Sequence, residues 1–307
     1  MCYSAQIRAD YKQFFRLFGG VLTLRAFAEL YYERQGNPKI KIPKMMDAAF
    51  ETPENDEERE IKGLIDTFNA EQALALEQDI FAQRKRLADA QRKLLTKTTK
   101  KATEDVRMAT AKVEWGLGKL ADLRRTQPEP RDARIFPGVY APVMIWENGQ
   151  RAVKPMRYHC RPAGKPEKFD VLYPGTYNAR RDNLEGFWRG QFSVTHGVLV
   201  VNAFYEHVDR DGKDTILEFR PTPAQDMWLA CLWSRWTAPG QPDLLSFALI
   251  MDEPPDEVRA AGQDRCPIPL KPENIDAWLR PDMGSPDAQY ALLDDRERPY
   301  YEHRLAA

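Results

Sequence analysis

A cysteine stands directly behind the initiator methionine in MCYSAQI, one residue from the start of the chain. Cysteine is small enough for the methionine to be trimmed, so Cys2 is expected to become the first residue of the mature protein. A terminal cysteine carries an amine with a pKa of about 7.7 to 8.0 and a thiol near 8.5, so both nucleophiles are available around neutrality. An aldehyde condenses with the amine as a Schiff base, and the thiol then closes a five-membered thiazolidine ring. The plainer role for Cys2 is that of a small, half-buried strand residue.

Imine formation moves protons off the amine and onto a departing hydroxyl, so a carboxylate within hydrogen-bond reach is the expected helper. Glu206 in VVNAFYEHV lies in a mostly apolar run, where desolvation raises a carboxyl toward a useful range. The alternative for it is an outward-facing strand glutamate. Asn178 in PGTYNARRD has an amide that both donates and accepts, which suits fixing a hydroxyl or an amine, although such an Asn also suits a turn. Arg180 and Arg181 beside it, with Arg161 and Lys165 in HCRPAGKP, are candidates for gripping phosphates. Isolated basic residues are also commonly just solvated.

These groups need elements to carry them. The opening MCYSAQIRA alternates like a strand, and the Phe14, Phe15, Leu17 and Phe18 cluster predicts a buried helix broken near Gly19 and Gly20. Between Pro53 and Pro128 there is no proline, and Ala, Glu, Lys, Arg, Gln and Leu dominate. Ile61, Leu64, Ile65 and Phe68, then Leu76, Ile80, Leu87 and Leu94, recur at helical steps, with Val106, Val113 and Leu120 continuing the heptad. TKTTKKATE reads as the turn of an antiparallel helical hairpin, whose residues 56–125 form either a contact for a protein partner or a second copy, or a plain packed insertion. From residue 134 onward short β-type runs alternate with Pro, Gly, Asn and Asp, and ENGQ and DRDGKD read as hairpin turns. No βαβ rhythm or glycine-rich phosphate loop is present. The expected fold is therefore α+β, with a mixed, mostly antiparallel, barrel-like sheet, flanking helices and the inserted hairpin. The expected divisions are 1–50 and 131–307 for the core, with a C-terminal tail, and 51–130 for the insertion. The N-terminal strand must pair with that distant sheet, because a lone strand is not stable in water.

Composition sets the outer limits. The chain has 307 residues, 43% of them hydrophobic, and 45 basic against 46 acidic side chains leave a net charge of -1, so any nucleic-acid surface must be a local patch. Cys2, Cys160, Cys231 and Cys266 form no CxxC pair, which argues against a zinc site and a disulfide framework and for a reducing cytoplasm. No cofactor or metal is expected. No signal-peptide pattern is seen and no apolar run approaches the roughly 20 residues that span a bilayer.

MCYSAQ, PGTYNARRDNLEGFW, VVNAFYEHV and AAGQDRCPIPL, in that order, resemble the SOS response-associated peptidase family. The resemblance implies a DNA-damage enzyme that protects abasic sites in single-stranded DNA, with the terminal cysteine held on the ring-opened sugar as a thiazolidine crosslink. It implies that Asn178 orients the cysteine and the sugar, that Glu206 serves proton transfer, and that Arg180 lies against the DNA backbone. An autopeptidase activity is implied by the family's name, and association with the nucleoid when bound to DNA follows from the substrate.

The chain also departs from that pattern. Gln263 stands where the family usually has a histidine, so its amide is expected to bond a sugar oxygen but not to shuttle protons. His159 or His196 is a candidate replacement. Tyr3 and Ser4 replace a glycine and an arginine, and a tryptophan-rich stacking segment is missing, for which Tyr158, Phe187 and Trp188 are candidate substitutes. Two other functions fit the same residues: an N-terminal-nucleophile amide hydrolase, and a non-catalytic interaction protein acting through the hairpin.

Overall fold

A computed structural model of the chain describes residues 3–8, 10–210, 212–282 and 285–306. The chain begins with β1 (Ser4–Ile7), α1 (Tyr11–Leu17), β2 (Gly20–Leu22), α2 (Leu24–Gly36) and α3 (Lys44–Ala48). The long helices α4 (Asp56–Thr96) and α5 (Lys100–Arg124) follow. Then come β3 (Arg134–Ile135), β4 (Tyr140–Glu147), β5 (Gln150–Tyr158), α6 (Phe169–Leu172) and β6 (Asn178–Arg180). The sheet is completed by β7 (His196–Arg210), β8 (Lys213–Thr222), β9 (Met227–Trp236) and β10 (Leu244–Asp252). The remainder is α7 (Asp256–Ala260), β11 (Cys266–Pro267), β12 (Pro269–Leu270), α8 (Ile275–Leu279), α9 (Pro286–Asp294) and β13 (Tyr300–Leu305). Among the described residues, no helix is long and apolar enough to cross a membrane.

The fold is α+β with a large mixed sheet, ordered β12-β9-β10-β5-β4-β7-β1-β3. An extra pairing of β9 with β7 closes β9, β10, β5, β4 and β7 into a ring, which removes their open edges. The ladders are mostly antiparallel, while β10 runs parallel to β5 and β6, and β2 runs parallel to β5. Turn chemistry fixes the β4–β5 hairpin: Asn148 and Gly149 both have positive φ (52° and 79°), the geometry of a tight two-residue loop that follows the twist of the strands. Where β7 crosses β4 and β9, a Cβ on Gly197 would lie 2.9 Å from Val143 and 3.0 Å from the Cys231 sulfur, so only glycine lets the three strands meet. Phe204 on β7, Phe219 on β8, Phe247 on β10 and Trp278 on α8 are fully buried, each contributing roughly 1.5–3 kcal/mol by burial.

β7 is the organising strand. Its first half, from His196 to Val201, lies between β4 and β9 inside the ring; its second half, from Val201 to Arg210, leaves the ring and lies between β1 and β8. The strand at the start of the chain is thereby paired with one reached about two hundred residues later, with Ser4 opposite Tyr205 and Gln6 opposite Ala203. Toward the C-terminus, β13 pairs with β8 from Tyr300 to Leu305.

The chain forms two compact units, one of residues 59–128 and one of residues 1–58 with 129–307. Within the separate unit, Thr99 caps α5 by accepting the backbone N–H of Ala102 at 3.1 Å. A Cβ on Gly116 would lie 2.7 Å from Ile80, so the missing side chain is what lets α5 approach α4. Arg86 on Asp105 and Arg124 on Glu77 tie the two helices along their length.

Candidate active site at the head of the β1–β7 ladder

Cys2 lies outside the described residues. The residue that follows it, Tyr3, is described, and its backbone N–H donates to the Tyr205 carbonyl at 3.2 Å, extending the β1–β7 ladder toward the chain start. The Tyr3 ring meets His207 edge-on at 4.3 Å and Phe136 at 5.6 Å. Ser4 is fully buried and accepts from Arg134 Nε at 3.0 Å, and the Arg134 guanidinium lies over the Tyr205 ring at 3.8 Å. Gln6 accepts from the Tyr205 hydroxyl at 3.0 Å and from Arg220 at 2.7 Å. β1 is therefore held by its side chains as well as by its backbone.

Beside this strand start sits Glu206, 1% exposed on β7. Burial pushes its carboxyl up to about 7, opposed by a backbone hydrogen bond from Tyr3 and reinforced by the charge of Asp264. Both protonation states are then populated near neutrality, which is what a group that first takes and then returns a proton requires. The next residue, His207, turns away and places Nδ1 2.9 Å from Asp214, as the two-residue period of a strand dictates.

Gln263 is buried and donates its side-chain amide to the His207 carbonyl. Its neighbour Asp264 acts on Arg180 as well as on Glu206, and Asp182, the stronger influence, also holds the Arg180 guanidinium protonated. Glu206, Gln263, Asp264 and Arg180 are thus gathered from three separate parts of the chain. Asn178 and Arg180 are two residues apart on β6 and share a face; Asn178 is buried and accepts from the Tyr158 hydroxyl at 3.4 Å.

The other basic candidates have different surroundings. Arg181 bridges Asp294 at 2.6 Å and Asp252 at 3.5 Å and so ties β6 to β10 and α9. Arg161 is 8% exposed, with Nε 3.0 Å from Asp170 and its guanidinium over Trp236 at 4.5 Å. Those contacts commit its guanidinium to Asp170 and Trp236. Lys165 is exposed, 5.9 Å from the Phe169 ring.

Burial favours the neutral form of both candidate histidines. His196 is buried between the Ser193 N–H and the Trp278 carbonyl and stacks on Trp278 at 3.8 Å, and burial pushes it down to about 3. His159 lies 3.3 Å from the Tyr173 carbonyl, and burial pushes it down too. Of the candidate stacking rings, Tyr158 and Trp188 are buried in the core and only Phe187 reaches the surface.

The family model of the SOS response associated peptidase (SRAP) matches residues 90–305, more than half of the chain. The chain belongs to the SRAP family. The matched stretch carries β7, β6 and the Gln263 loop, while β1 precedes it and joins by strand pairing. Solved structures with similarity to this SRAP chain include a protein from Bordetella bronchiseptica, 18% identical, covering 57% of this chain and 87% of that one, with a TM-score of 0.47. A protein from Bacteroides thetaiotaomicron is 13% identical over 57% of this chain and 78% of its own, with a TM-score of 0.48. A phage-related protein from Bordetella bronchiseptica is 17% identical over 59% and 84%, with a TM-score of 0.44. No curated protein matches the chain.

Sequence reasoning missed Asp264, Arg134 and the Tyr3–His207 contact. Asp264 stood next to a residue already singled out. Nothing local in the sequence pairs Arg134 with Ser4, 130 positions away.

Proposed function

We propose that this SRAP protein captures abasic sites in single-stranded DNA through Cys2 after removal of Met1. The observation that carries the reading is Glu206, a buried carboxyl raised to about 7 beside the backbone of Tyr3, the residue that follows Cys2 in the chain. The terminal amine attacks the aldehyde carbon of the ring-opened sugar, and a proton leaves the nitrogen for the Glu206 carboxylate. Glu206 returns it to the former carbonyl oxygen, giving a carbinolamine; the second N–H proton then passes the same way to that hydroxyl, which leaves as water as the C=N bond forms. The Cys2 thiolate then adds to the imine carbon while the nitrogen takes up a proton, closing the thiazolidine. Asn178 orients the sugar, Arg180 meets the phosphate backbone, and Gln263 supports the strand that carries Glu206.

The test is denaturing gel electrophoresis of the protein with single-stranded DNA carrying one abasic site, comparing wild type, Cys2→Ala and a form that keeps Met1. A heat-stable shifted band in the wild type alone is the expected result. Its absence, with removal of Met1 verified by mass spectrometry, overturns the reading. The word peptidase in the family name supports a second reading, in which the same thiol attacks an amide carbonyl; turnover of peptide without a DNA adduct would identify it.

A further inference from the structure

Away from Glu206, two cavities of about 190 and 430 Å³ adjoin along α2, and Glu33, Tyr140 and Asp243 line both of them. The smaller is also lined by Glu29 and Trp233, the larger by Trp236. Lys39, Lys41, Arg157 and Arg161 line the larger cavity, so the acidic end of the groove is the smaller one, where Lys154 pairs with Glu147 at 2.6 Å and Arg235 with Asp243 at 2.8 Å. Glu33 is different. Among the described residues no basic side chain pairs with it, and its carboxyl is raised by burial first and then by the charges of Glu29 and Asp243. Tyr140 is 9% exposed, and its hydroxyl makes no hydrogen bond among the described residues. A half-buried carboxylate facing two other acids is a costly arrangement unless something else completes it.

We propose that this groove binds an organic cation, an alkylammonium group, with Glu33 as its counter-ion, the Tyr140 hydroxyl as a hydrogen-bond acceptor and the face of Trp233 as a cation–π surface. An ammonium supplies three donors on a compact charge. One reaches the Glu33 carboxylate, another the phenol oxygen, and the adjoining methylenes pack on the indole. The same group comes from a free polyamine or from a lysine side chain of a peptide, and the two are separable by experiment.

Isothermal titration calorimetry is run on the full chain with putrescine and, separately, with acetyl-Gly-Lys-Gly-amide. Binding of either probe by the wild type is expected, weakened about tenfold or more by Glu33→Gln, about threefold by Tyr140→Phe, and not at all by Asp287→Asn, which removes an exposed acid on α9. Preference for putrescine assigns the site to free amines, and preference for the peptide assigns it to a lysine side chain. Glu33→Gln removes a partly desolvated charge, so its melting temperature should equal or exceed that of the wild type and its loss of binding is not unfolding. No heat from either probe up to about 10 mM, above the millimolar Kd that corresponds to only about 4 kcal/mol, overturns the proposal. Equal weakening by Asp287→Asn also overturns it.

Discussion

Gln263 hydrogen-bonds the backbone carbonyl of His207, the residue immediately after Glu206 on β7. The contact joins the loop after α7 to the strand that carries the buried carboxyl. It spends one of the two amide N–H groups on the protein, which leaves the second N–H and the amide oxygen as the parts of Gln263 that can face a ligand. Gln263 therefore braces the strand that carries Glu206 and neither gains nor loses a proton near neutral pH.

Glu206 is expected to control both rate and stability. Its folded pKa of about 7 lies above its ordinary 4.5, so between those values the folded state binds the extra proton. Stability then falls as pH rises from about 4.5 to 7, and the cost, on the order of 3 kcal/mol, persists above that range. Glu206→Gln should melt higher than the wild type at pH 8 and match it near pH 4, while its crosslinking rate falls about a hundredfold and loses its inflection near pH 7. A variant less stable than the wild type at pH 8 would show that the carboxylate is a structural anchor.

Arg180 and Arg181 are neighbours with opposite expected phenotypes. Arg180 is exposed and pairs only locally with Asp182 among the described residues. Arg180→Ala should weaken binding of single-stranded DNA and reduce the salt slope by about 0.7, with little change in melting. Arg181 joins Asp252 to Asp294, so Arg181→Ala should cost about 1–3 kcal/mol of stability and leave the salt slope unchanged. Fluorescence anisotropy across a salt series, with thermal melts of both variants, separates the two.

What the sequence displays is what local chemistry writes into it. MWLACLWSRW is β9 from end to end, and the Asn148–Gly149 turn is visible as NG between alternating apolar residues. The apolar run around Glu206 already signals desolvation. Closure of the ring by β7 and β9 is not written locally, nor are the parallel pairings of β2 and β6, because they depend on chain segments far apart. Helices of four or five residues such as α6, α7 and α8 are too short to show a helical period. β13 escapes notice because only Tyr301 on it is buried and its other residues are polar or exposed. Arg161 looks solvated beside Pro162 and Gly164, yet Asp170, nine residues on, draws it inward.

The hairpin offers a paired test of packing. Gly116 and Gly118 both sit inside α5, where alanine is the better helix former by about 0.8–1.0 kcal/mol. A Cβ at Gly118 meets nothing within 4 Å, so Gly118→Ala should stabilise by roughly that amount. A Cβ at Gly116 meets Ile80 at 2.7 Å, and the overpacking, about 1–3 kcal/mol, should outweigh the propensity gain. Chemical denaturation of the two variants reads the difference directly. Equal stabilisation by both would mean that α4 and α5 are not in close contact at this level.

Gln263→His separates bracing from proton transfer. A neutral imidazole has one N–H to give, so it either keeps the bond to the His207 carbonyl and offers its other nitrogen as a base, or drops the brace. In the first case the steps that need acid-base help, opening of the sugar ring and reversal of the crosslink, should accelerate at pH 7, with melting unchanged. In the second, stability falls by the worth of one hydrogen bond, about 1 kcal/mol, the melting temperature drops with it, and capture slows because β7 is no longer held behind Glu206. Single-turnover crosslinking and release rates, measured alongside the melt, distinguish the two. Unchanged rates together with an unchanged melt would mean that the imidazole keeps the brace but adds no proton path, and that Glu206 works without acid-base help from this loop.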